Sequence, residues 1–238
     1  MPRLSSLGSL TGRGVRVAVI DSGVHAAHPH VQGVCGGVGI DAAGLEHEDY
    51  IDRLGHGTAV TAVLREKAPG ADIYAVKVFD RELATTGQAL VAALAWSHRH
   101  DARLIALSLG TSNLEHEAAL TREIEQATAK GRCVVAAARQ SETRRLPGDI
   151  QGVIAVELDM SLPRDVAEWS VAEDGGVVFR ASGYPRPLPG VPPERNLHGM
   201  SFAVANAAGL LACMLEGVPV GTDIRAALAG VSSTSPSG

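Results

Sequence analysis

Three short segments of the chain carry side chains that could perform nucleophilic catalysis. Asp21 directly follows the apolar run 15–20. His56 lies within the sequence Gly-His-Gly-Thr, and Ser201 opens a long apolar segment rich in alanine. A serine hydroxyl, an imidazole that takes its proton and a carboxylate that orients the imidazole together drive acyl transfer. Because ligands of an open α/β sheet bind at the carboxyl ends of its strands, Asp21 stands where a substrate could reach it.

Each of these residues also has a simpler structural interpretation. An aspartate after a strand commonly stabilises a turn, a lone histidine is more often structural or exposed, and a serine before an apolar helix is by default its N-cap. The surrounding motifs favour the functional interpretation: Val-Ala-Val-Ile-Asp-Ser-Gly (17–23), Gly-His-Gly-Thr (55–58) and His-Gly-Met-Ser-Phe-Ala (198–203). In this order of Asp, His and Ser they resemble the subtilisin-like serine protease family, the subtilases, over roughly residues 13 to 216.

The resemblance implies a serine endopeptidase that works through an acyl-enzyme. Ser201 would be the nucleophile, His56 the base that takes the serine proton and delivers it to the leaving amine, and Asp21 the carboxylate that orients His56. The start of a helix suits Ser201, since free backbone N–H groups and the helix dipole stabilise negative charge there. We expect no cofactor. Family members often hold structural calcium in surface loops, but no oxygen-rich loop of this sequence indicates it.

Two further segments resemble the substrate channel of the family. Ser108, Leu109 and Gly110 match a strand end whose backbone pairs with an extended peptide as an added strand. Ala137 and Ala138 match the opposite wall of the specificity pocket. Both segments would also suit plain core strands. We favour the substrate role because they accompany the three catalytic motifs.

The chain departs from the family pattern around the oxyanion site. The family follows Ala-Ala with Gly-Asn, whereas this chain has Arg139 and Gln140. Gln140 keeps the amide donor on a longer stem, so the resemblance makes it the oxyanion donor. Met200 stands where the family has threonine and removes a polar group beside the serine. Arg139 would narrow the pocket and favour a carboxylate before the cleaved bond, or alternatively points to solvent with Arg144 and Arg145.

Two functions therefore stay open. The intact set of Asp21, His56 and Ser201 favours hydrolysis, and the short chain without an inhibitory pro-segment favours restricted specificity: processing of a precursor or partner peptide. The altered oxyanion motif favours a degenerate relative that binds peptides or acts as a scaffold with little or no hydrolysis.

The motifs require a scaffold of alternating strands and helices. The apolar patterns predict strands at 15–20, 73–79, 103–109, 132–138 and 152–156, and helices at 56–64, 86–99, 115–129, 201–215 and 222–229. This alternation implies an α/β fold: a single subtilisin-like domain with a mostly parallel sheet and helices on both faces. We expect an antiparallel hairpin over 166–182 at a sheet edge, a peptidase domain over 1–231 and a disordered tail over 232–238.

Composition narrows the possible partners. The chain has 238 residues, of which 45% are hydrophobic and 3% aromatic, so it can bury a core of small aliphatic side chains. Its net charge of −5 provides no basic surface for nucleic acid. No apolar run approaches the roughly 20 residues of a membrane span. The expected partner is a peptide or protein substrate.

Cysteine and histidine spacing argues against a disulfide framework and a metal site. Cys35, Cys133 and Cys213 are an odd number without close spacing, which favours a reducing, cytoplasmic compartment; secretion through a removed leader is the alternative. The spacing His25-x-x-His28-x-His30 fits no standard zinc pattern, so we expect no metal. The acidic stretch 46–50 is expected to be a solvated loop.

Overall fold

A ten-stranded sheet organises the computed structural model, which describes residues 1–5, 8–139, 141–224 and 226–228, without the side chain of Glu194. The strands are β1 (Arg3–Ser5), β2 (Arg16–Asp21), β3 (Gly36–Ile40), β4 (Glu46–His47), β5 (Asp72–Lys77), β6 (Leu104–Leu107), β7 (Cys133–Ala137), β8 (Val153–Leu158), β9 (Val166–Val171) and β10 (Val177–Ala181). The helices are α1 (His56–Lys67), α2 (Gly87–Arg99), α3 (Glu117–Ala129) and α4 (Met200–Glu216).

The central part of the sheet is parallel. The strand order is β1-β9-β10-β8-β7-β6-β2-β5-β3-β4. Neighbouring strands from β10 to β3 run parallel, whereas β1, β9 and β4 pair antiparallel at the margins. The expected α/β fold with a mostly parallel sheet is therefore confirmed.

Both faces of the sheet are covered by helices, as a parallel sheet requires. In β2, Val17 and Val19 belong to the core formed with α1 and α4, and the alternating Ala18 and Ile20 belong to the core formed with α2 and α3. All four side chains are buried. Asp21 follows these four residues as the last residue of β2, so its carboxylate lies at the carboxyl end of the sheet.

The helix α4 is buried almost all round and packs on α1. Small residues allow this close approach: an added Cβ at Gly209 would lie 2.6 Å from Cβ of Lys67 on α1. The two helices begin at His56 and Met200, and their N-termini bring His56 and Ser201 to the same cleft. In the described part of the chain, no helix has the length and apolar character needed to cross a membrane.

The predicted helices 56–64, 86–99, 115–129 and 201–215 and all five predicted strands are present with small differences at their ends. Three strands were not expected: β1, β3 and β4. The interpretation of 46–50 as a loop is therefore wrong for Glu46 and His47, which pair with β3. The predicted helix at 222–229 falls partly outside the described residues, with helical backbone at 224 and 226–228. The predicted tail lies outside them entirely.

The hairpin expected over 166–182 forms as β9 and β10, but its predicted edge position is wrong. β10 also pairs in parallel with β8, and β9 is covered on its outer side by β1. The amino terminus supplies this last strand through long-range pairing of Leu4 with Ala167, which local patterns cannot indicate.

Candidate active site

Asp21 is a buried carboxylate at the end of β2, and both its oxygens accept hydrogen bonds. Its side chain is 1% exposed. Oδ1 lies 2.7 Å from Nδ1 of His56 and 2.7 Å from the backbone N of Ser22. Oδ2 accepts a hydrogen bond from the hydroxyl of Ser108 at the end of β6. A buried carboxylate with this many donors is held in one orientation, so it can fix the imidazole ring.

Asp52 positions the first turn of α1, where His56 lies. Its Oδ1 accepts from the backbone N of Leu54 at 2.9 Å and of Gly55 at 2.8 Å. Its Oδ2 accepts from the backbone N and the hydroxyl of Thr58, at 2.8 and 2.6 Å. The backbone N of Thr58 is one of the free donors in the first turn of α1, and Gly55 as N-cap has no side chain that could bond to it.

The charge of Asp52 is stabilised by this network. Its burial favours the neutral acid, but the hydrogen bonds from Thr58, Ser22 and Leu54 outweigh burial and hold the pKa of Asp52 below its ordinary value. Ser22 links the two aspartates: its hydroxyl donates to Asp52 at 2.8 Å and accepts from the backbone N of Gly57 at 2.9 Å. The loop after β2 and the start of α1 are therefore tied together around the imidazole.

His56 faces Asp21 with one ring nitrogen. Because an ionised carboxylate only accepts, the short Nδ1–Oδ1 contact places the proton of the neutral ring on Nδ1 and leaves Nε2 as an acceptor. Burial of the ring lowers the pKa of His56. The hydrogen bond and charge of Asp21, with the charge of Asp52, outweigh this and raise the pKa above its ordinary value of 6.5.

Close packing around His56 depends on its glycine neighbour. An added Cβ at Gly57 would overlap the carbonyl oxygen of Gly23 and lie 3.2 Å from Cβ of Asp21. Gly23 itself has φ +94°, and a Cβ there would overlap the carbonyl oxygen of Tyr50. Glycine at both positions therefore allows the strand end and the helix start to approach each other.

Ser201 lies in the first turn of α4, across the cleft from α1. The preceding Gly199 has φ +144°, a backbone conformation that side chains disfavour. Among the hydrogen bonds of the described residues, the Ser201 hydroxyl donates to the carbonyl oxygen of Ser108 at 3.3 Å, and none joins it to His56. Ser201 and His56 nevertheless line one cleft of about 320 Å³. Rotation about χ1 of a serine, between staggered positions, redirects the hydroxyl without moving the backbone.

The cleft also contains one of the two segments that were expected to bind substrate. Ser108, Leu109 and Gly110 line it together with His56 and Ser201. Ser108 contacts both ends of the set, donating to Asp21 through its hydroxyl and accepting from Ser201 through its carbonyl. These three residues thus lie in the same cleft as Ser201, and their role in substrate binding stays a prediction.

The other segment that was expected to bind substrate, residues 137–139, does not line the cleft of Ser201. Ala137 and Ala138 are buried at the end of β7, where the backbone N of Ala138 bonds to the carbonyl of Val156 at 2.8 Å. Arg139 is exposed and lines, with Ala138, a second cavity rather than the cleft of Ser201. Gln140, the expected oxyanion donor, lies outside the described residues.

Arg145 takes the place in the cleft that the sequence suggested for Arg139. Its side chain is half-buried and lines the same cleft as His56 and Ser201. The alternative that Arg139 points to solvent fits its exposed position beside the equally exposed Arg144, but the inclusion of Arg145 in that group is wrong. Antiparallel hydrogen bonds of 2.8 Å in both directions between Thr111 and Leu146 bring this segment alongside the end of β6.

Sequence reasoning missed three positioning side chains. The hydroxyls of Ser22 and Ser108 and the carboxylate of Asp52 were given no role in orienting His56. A signal for Asp52 was present, because an aspartate shortly before a predicted helix start commonly caps it. The contact of Ser108 with Asp21 joins two neighbouring strands, so a linear pattern carries no sign of it.

The three histidines 25, 28 and 30 pack ring against ring. Their rings meet edge to face, with centroids 6.4 Å apart for His25 and His28 and 5.2 Å apart for His28 and His30. Nδ1 of His28 accepts from the backbone N of His30 at 3.2 Å, a local turn contact. Across the described residues, no group of three or more His, Cys, Asp or Glu side chains is arranged to hold a metal ion.

Known proteins resemble this chain over most of its length. The sequence profile of the Subtilase family matches residues 12–229. Subtilisin DY of Bacillus licheniformis is 30% identical over an alignment of 230 positions that covers 87% of this chain and 79% of that protein. Subtilisin NAT of Bacillus subtilis subsp. natto is 29% identical over an alignment of 239 positions that covers 94% of this chain but only 61% of that protein, less than two thirds of its length.

Solved structures share the fold at lower identity. A lanthipeptide protease superposes with a TM-score of 0.66 at 19% identity, covering 89% of this chain and 78% of the other. The nisin leader peptidase NisP from Lactococcus lactis superposes with a TM-score of 0.67 at 17% identity, covering 88% and 80%. Because the family profile matches most of its length and its fold is that of these proteases, the chain belongs to the subtilase family of serine proteases.

Proposed function

We propose that this protein hydrolyses peptide bonds through an acyl-enzyme on Ser201, with His56 as general base and acid and Asp21 as its orienting carboxylate. The observation that carries the proposal is the 2.7 Å contact between Nδ1 of His56 and Oδ1 of Asp21 in a cleft that also contains Ser201. Family membership supports the reaction class.

The proposed reaction begins at Nε2 of His56. This nitrogen takes the proton of the Ser201 hydroxyl as Oγ attacks the carbonyl carbon of the substrate. The raised pKa of His56 suits it to carry that proton. The C–N bond then breaks, the imidazolium gives the proton to the leaving amine, and an ester on Ser201 is left. In the second half of the reaction, His56 takes a proton from water as the water attacks the ester carbonyl. The ester C–O bond breaks, the imidazolium returns the proton to the oxygen of Ser201, and a carboxylic acid is released.

Negative charge on the substrate oxygen needs donors next to Ser201. The first backbone N–H groups of α4, those of Met200 and Ser201, have no acceptor within the helix and lie at its positive end. Gln140 is the side-chain donor that the sequence pattern offers. Whether or not Gln140 donates, we expect the two backbone N–H groups to donate to the substrate oxygen, because they belong to the start of a buried helix.

The proposed substrates are precursor or partner peptides rather than proteins in general. Two proteins with the same fold are named as a lanthipeptide protease and a nisin leader peptidase, so precursor peptides are the first substrates to test. Incubation with a mixed peptide library, followed by mass spectrometry of the products, should reveal a small set of cleavage sites. Ser201→Ala should remove all of them, whereas Ser161→Ala, in an exposed turn, should remove none.

One observation favours the second candidate, a peptide-binding protein without hydrolysis. The Ser201 hydroxyl bonds to the carbonyl of Ser108 rather than to His56. If this arrangement persisted with substrate bound, the hydroxyl would not be activated. Peptides that bind the wild-type protein but are never cleaved would favour this candidate.

A further inference from the structure

Arg145 is the one residue with a permanent charge that lines the cleft of His56 and Ser201 among the described residues. No acidic side chain lines that cleft in the same part of the chain, and several of its walls are apolar, including Phe79, Leu90 and Leu109. A charge beside apolar walls is less screened than one in open water, so it interacts strongly with an opposite charge brought into the cleft.

The guanidinium of Arg145 has unused hydrogen-bonding capacity. Its Nε is buried and has no hydrogen-bond partner. Within the described residues, none of its side-chain nitrogens forms a hydrogen bond or an ion pair, although a guanidinium carries five N–H donors. The terminal Nη groups, which are not buried in this way, are free to donate to an acceptor that a ligand brings into the cleft.

The two charged residues near Arg145 in the sequence, Arg144 and Asp149, bond to groups other than its guanidinium. The carboxylate of Asp149 accepts from the backbone N of Arg145 at 2.8 Å and faces the second cavity, so it holds the segment in place without pairing with the guanidinium. Arg144, the adjacent residue, is exposed and forms a two-pronged ion pair with Glu117 on α3. Arg144 thus provides a matched comparison: the same side chain, one residue away, with its donors satisfied.

The backbone around Gly110 makes room for this side chain. An added Cβ at Gly110 would lie 2.8 Å from Nε of Arg145. Gly110 follows Ser108, whose carbonyl accepts from Ser201, by two residues. Two residues of extended chain span roughly 7 Å. Nε of Arg145 thus lies beside a residue only two positions after Ser108, and we expect the guanidinium to reach substrate side chains within two residues of the bond that Ser201 would attack.

We propose that Arg145 selects substrates with a glutamate or aspartate within two residues of the cleaved bond, by binding the side-chain carboxylate. The inference rests on the proposed function for the location of the cleaved bond. The planar guanidinium matches a carboxylate with two parallel N–H···O hydrogen bonds, a geometry that lysine cannot supply. This assigns to Arg145 the acid preference that the sequence pattern suggested for Arg139.

Peptide binding tests this selection independently of hydrolysis. Ser201→Ala protein is titrated with fluorescent peptides that are identical except at one position, which carries Glu, Gln or Lys and is moved along the peptide. The same titrations use the double variants with Arg145→Gln, Arg145→Glu and Arg144→Gln. Wild-type protein is incubated with the same peptides, and the cleavage sites are mapped by mass spectrometry.

The inference is supported if Glu at one position binds about tenfold or more tightly than Gln. Arg145→Gln should abolish the preference, Arg145→Glu should turn it toward Lys, and Arg144→Gln should leave it unchanged. Equal binding of the Glu and Gln peptides, or a Glu preference that survives Arg145→Gln, overturns the inference. If Arg145→Glu does not fold, Arg145→Gln alone decides.

Hydrolysis is a separate outcome of the experiment. A Glu preference in binding with no cleavage by the wild-type protein would overturn the proposed function and leave the role of Arg145 in recognition supported. Cleavage without any preference for an acidic residue would support the proposed function and overturn the role of Arg145 in recognition.

Discussion

The hydroxyl of Ser108 donates a hydrogen bond to Oδ2 of Asp21, the oxygen that His56 does not use. Two adjacent strands, β2 and β6, thereby end in a direct contact between the orienting carboxylate and the wall of the cleft. Since the carbonyl of the same residue accepts from Ser201, Ser108 connects the carboxylate to the proposed nucleophile through one amino acid.

Loss of the Ser108 hydroxyl should slow turnover without weakening substrate binding. A hydrogen bond to a charged group is worth about 1.5–3 kcal/mol, so we expect Ser108→Ala to lower kcat by about tenfold or more as Asp21 loses one restraint. KM should change little because the backbone of residue 108 is unaltered. Ser108→Thr, which keeps a hydroxyl, should restore much of kcat. A large rise in KM with kcat unchanged would show that Ser108 acts only in binding.

The carboxylate of Asp52 should be important for stability. Asp52→Ala removes the acceptor for Leu54, Gly55 and Thr58 at the start of α1. Loss of a helix cap alone costs about 0.5–2 kcal/mol, and we expect the upper end here because the network is half-buried. Urea denaturation gives the free energy of unfolding. Asp174→Ala, which removes a single bond to Gly176 in an exposed turn, is the control and should cost much less.

Alanine at Gly57 should disrupt the site. Its Cβ would overlap the carbonyl of Gly23 and crowd Asp21, so either the loop after β2 or the start of α1 must move. We expect turnover to fall by about 10²-fold, since small misplacements of catalytic groups have effects of that size. Gly217→Ala, where the nearest atom would lie 3.7 Å away, should leave activity intact. Full activity in Gly57→Ala would mean that the tight packing has no role in positioning His56.

The pH dependence of hydrolysis should report the raised pKa of His56. The imidazole must be neutral to take the serine proton, so kcat/KM should fall as the pH drops through that pKa, with a midpoint above 6.5. In Asp21→Asn the burial that lowers the pKa of His56 stays and the charge of Asp21, which raises it, is lost, so that only the weaker effect of Asp52 still raises it. The midpoint should therefore move to lower pH.

The same Asp21→Asn variant should also have a much lower rate. We expect a loss on the order of 10⁴-fold, as found when the imidazole of a comparable set takes the wrong tautomer. An acidic limb that stays at the same pH in Asp21→Asn would show that it belongs to another group.

Much of the scaffold was predictable because its elements are locally consistent. β2 and α4 are continuous apolar runs bounded by turn residues, and their lengths distinguish a buried strand from a buried helix. β3 was missed because its sequence, Gly-Gly-Val-Gly-Ile, has little strand propensity. Its glycines are needed for close contacts with neighbouring elements: an added Cβ at Gly37 would lie 2.5 Å from the carbonyl oxygen of Ala75 on β5.

The positions of the three candidate catalytic residues at element ends were predictable, and the side chains that support them were less so. The motifs around Asp21, His56 and Ser201 lie at element ends, which local patterns can identify. The environments of Ser108 and Arg145 depend on strand pairing between β2 and β6 and on the bridge between Thr111 and Leu146. Such long-range contacts decided that Arg145, rather than Arg139, lines the cleft.

The most direct test of the account is covalent labelling with a fluorophosphonate, followed by mass spectrometry of the modified peptide. The reagent reacts with a serine only when a neighbouring base activates it, so it reports on nucleophile and base together. The account predicts a single label on Ser201, absent in Ser201→Ala and strongly slowed in His56→Ala, with both variants folded. A label on another residue, or no label on a folded wild-type protein, would contradict it.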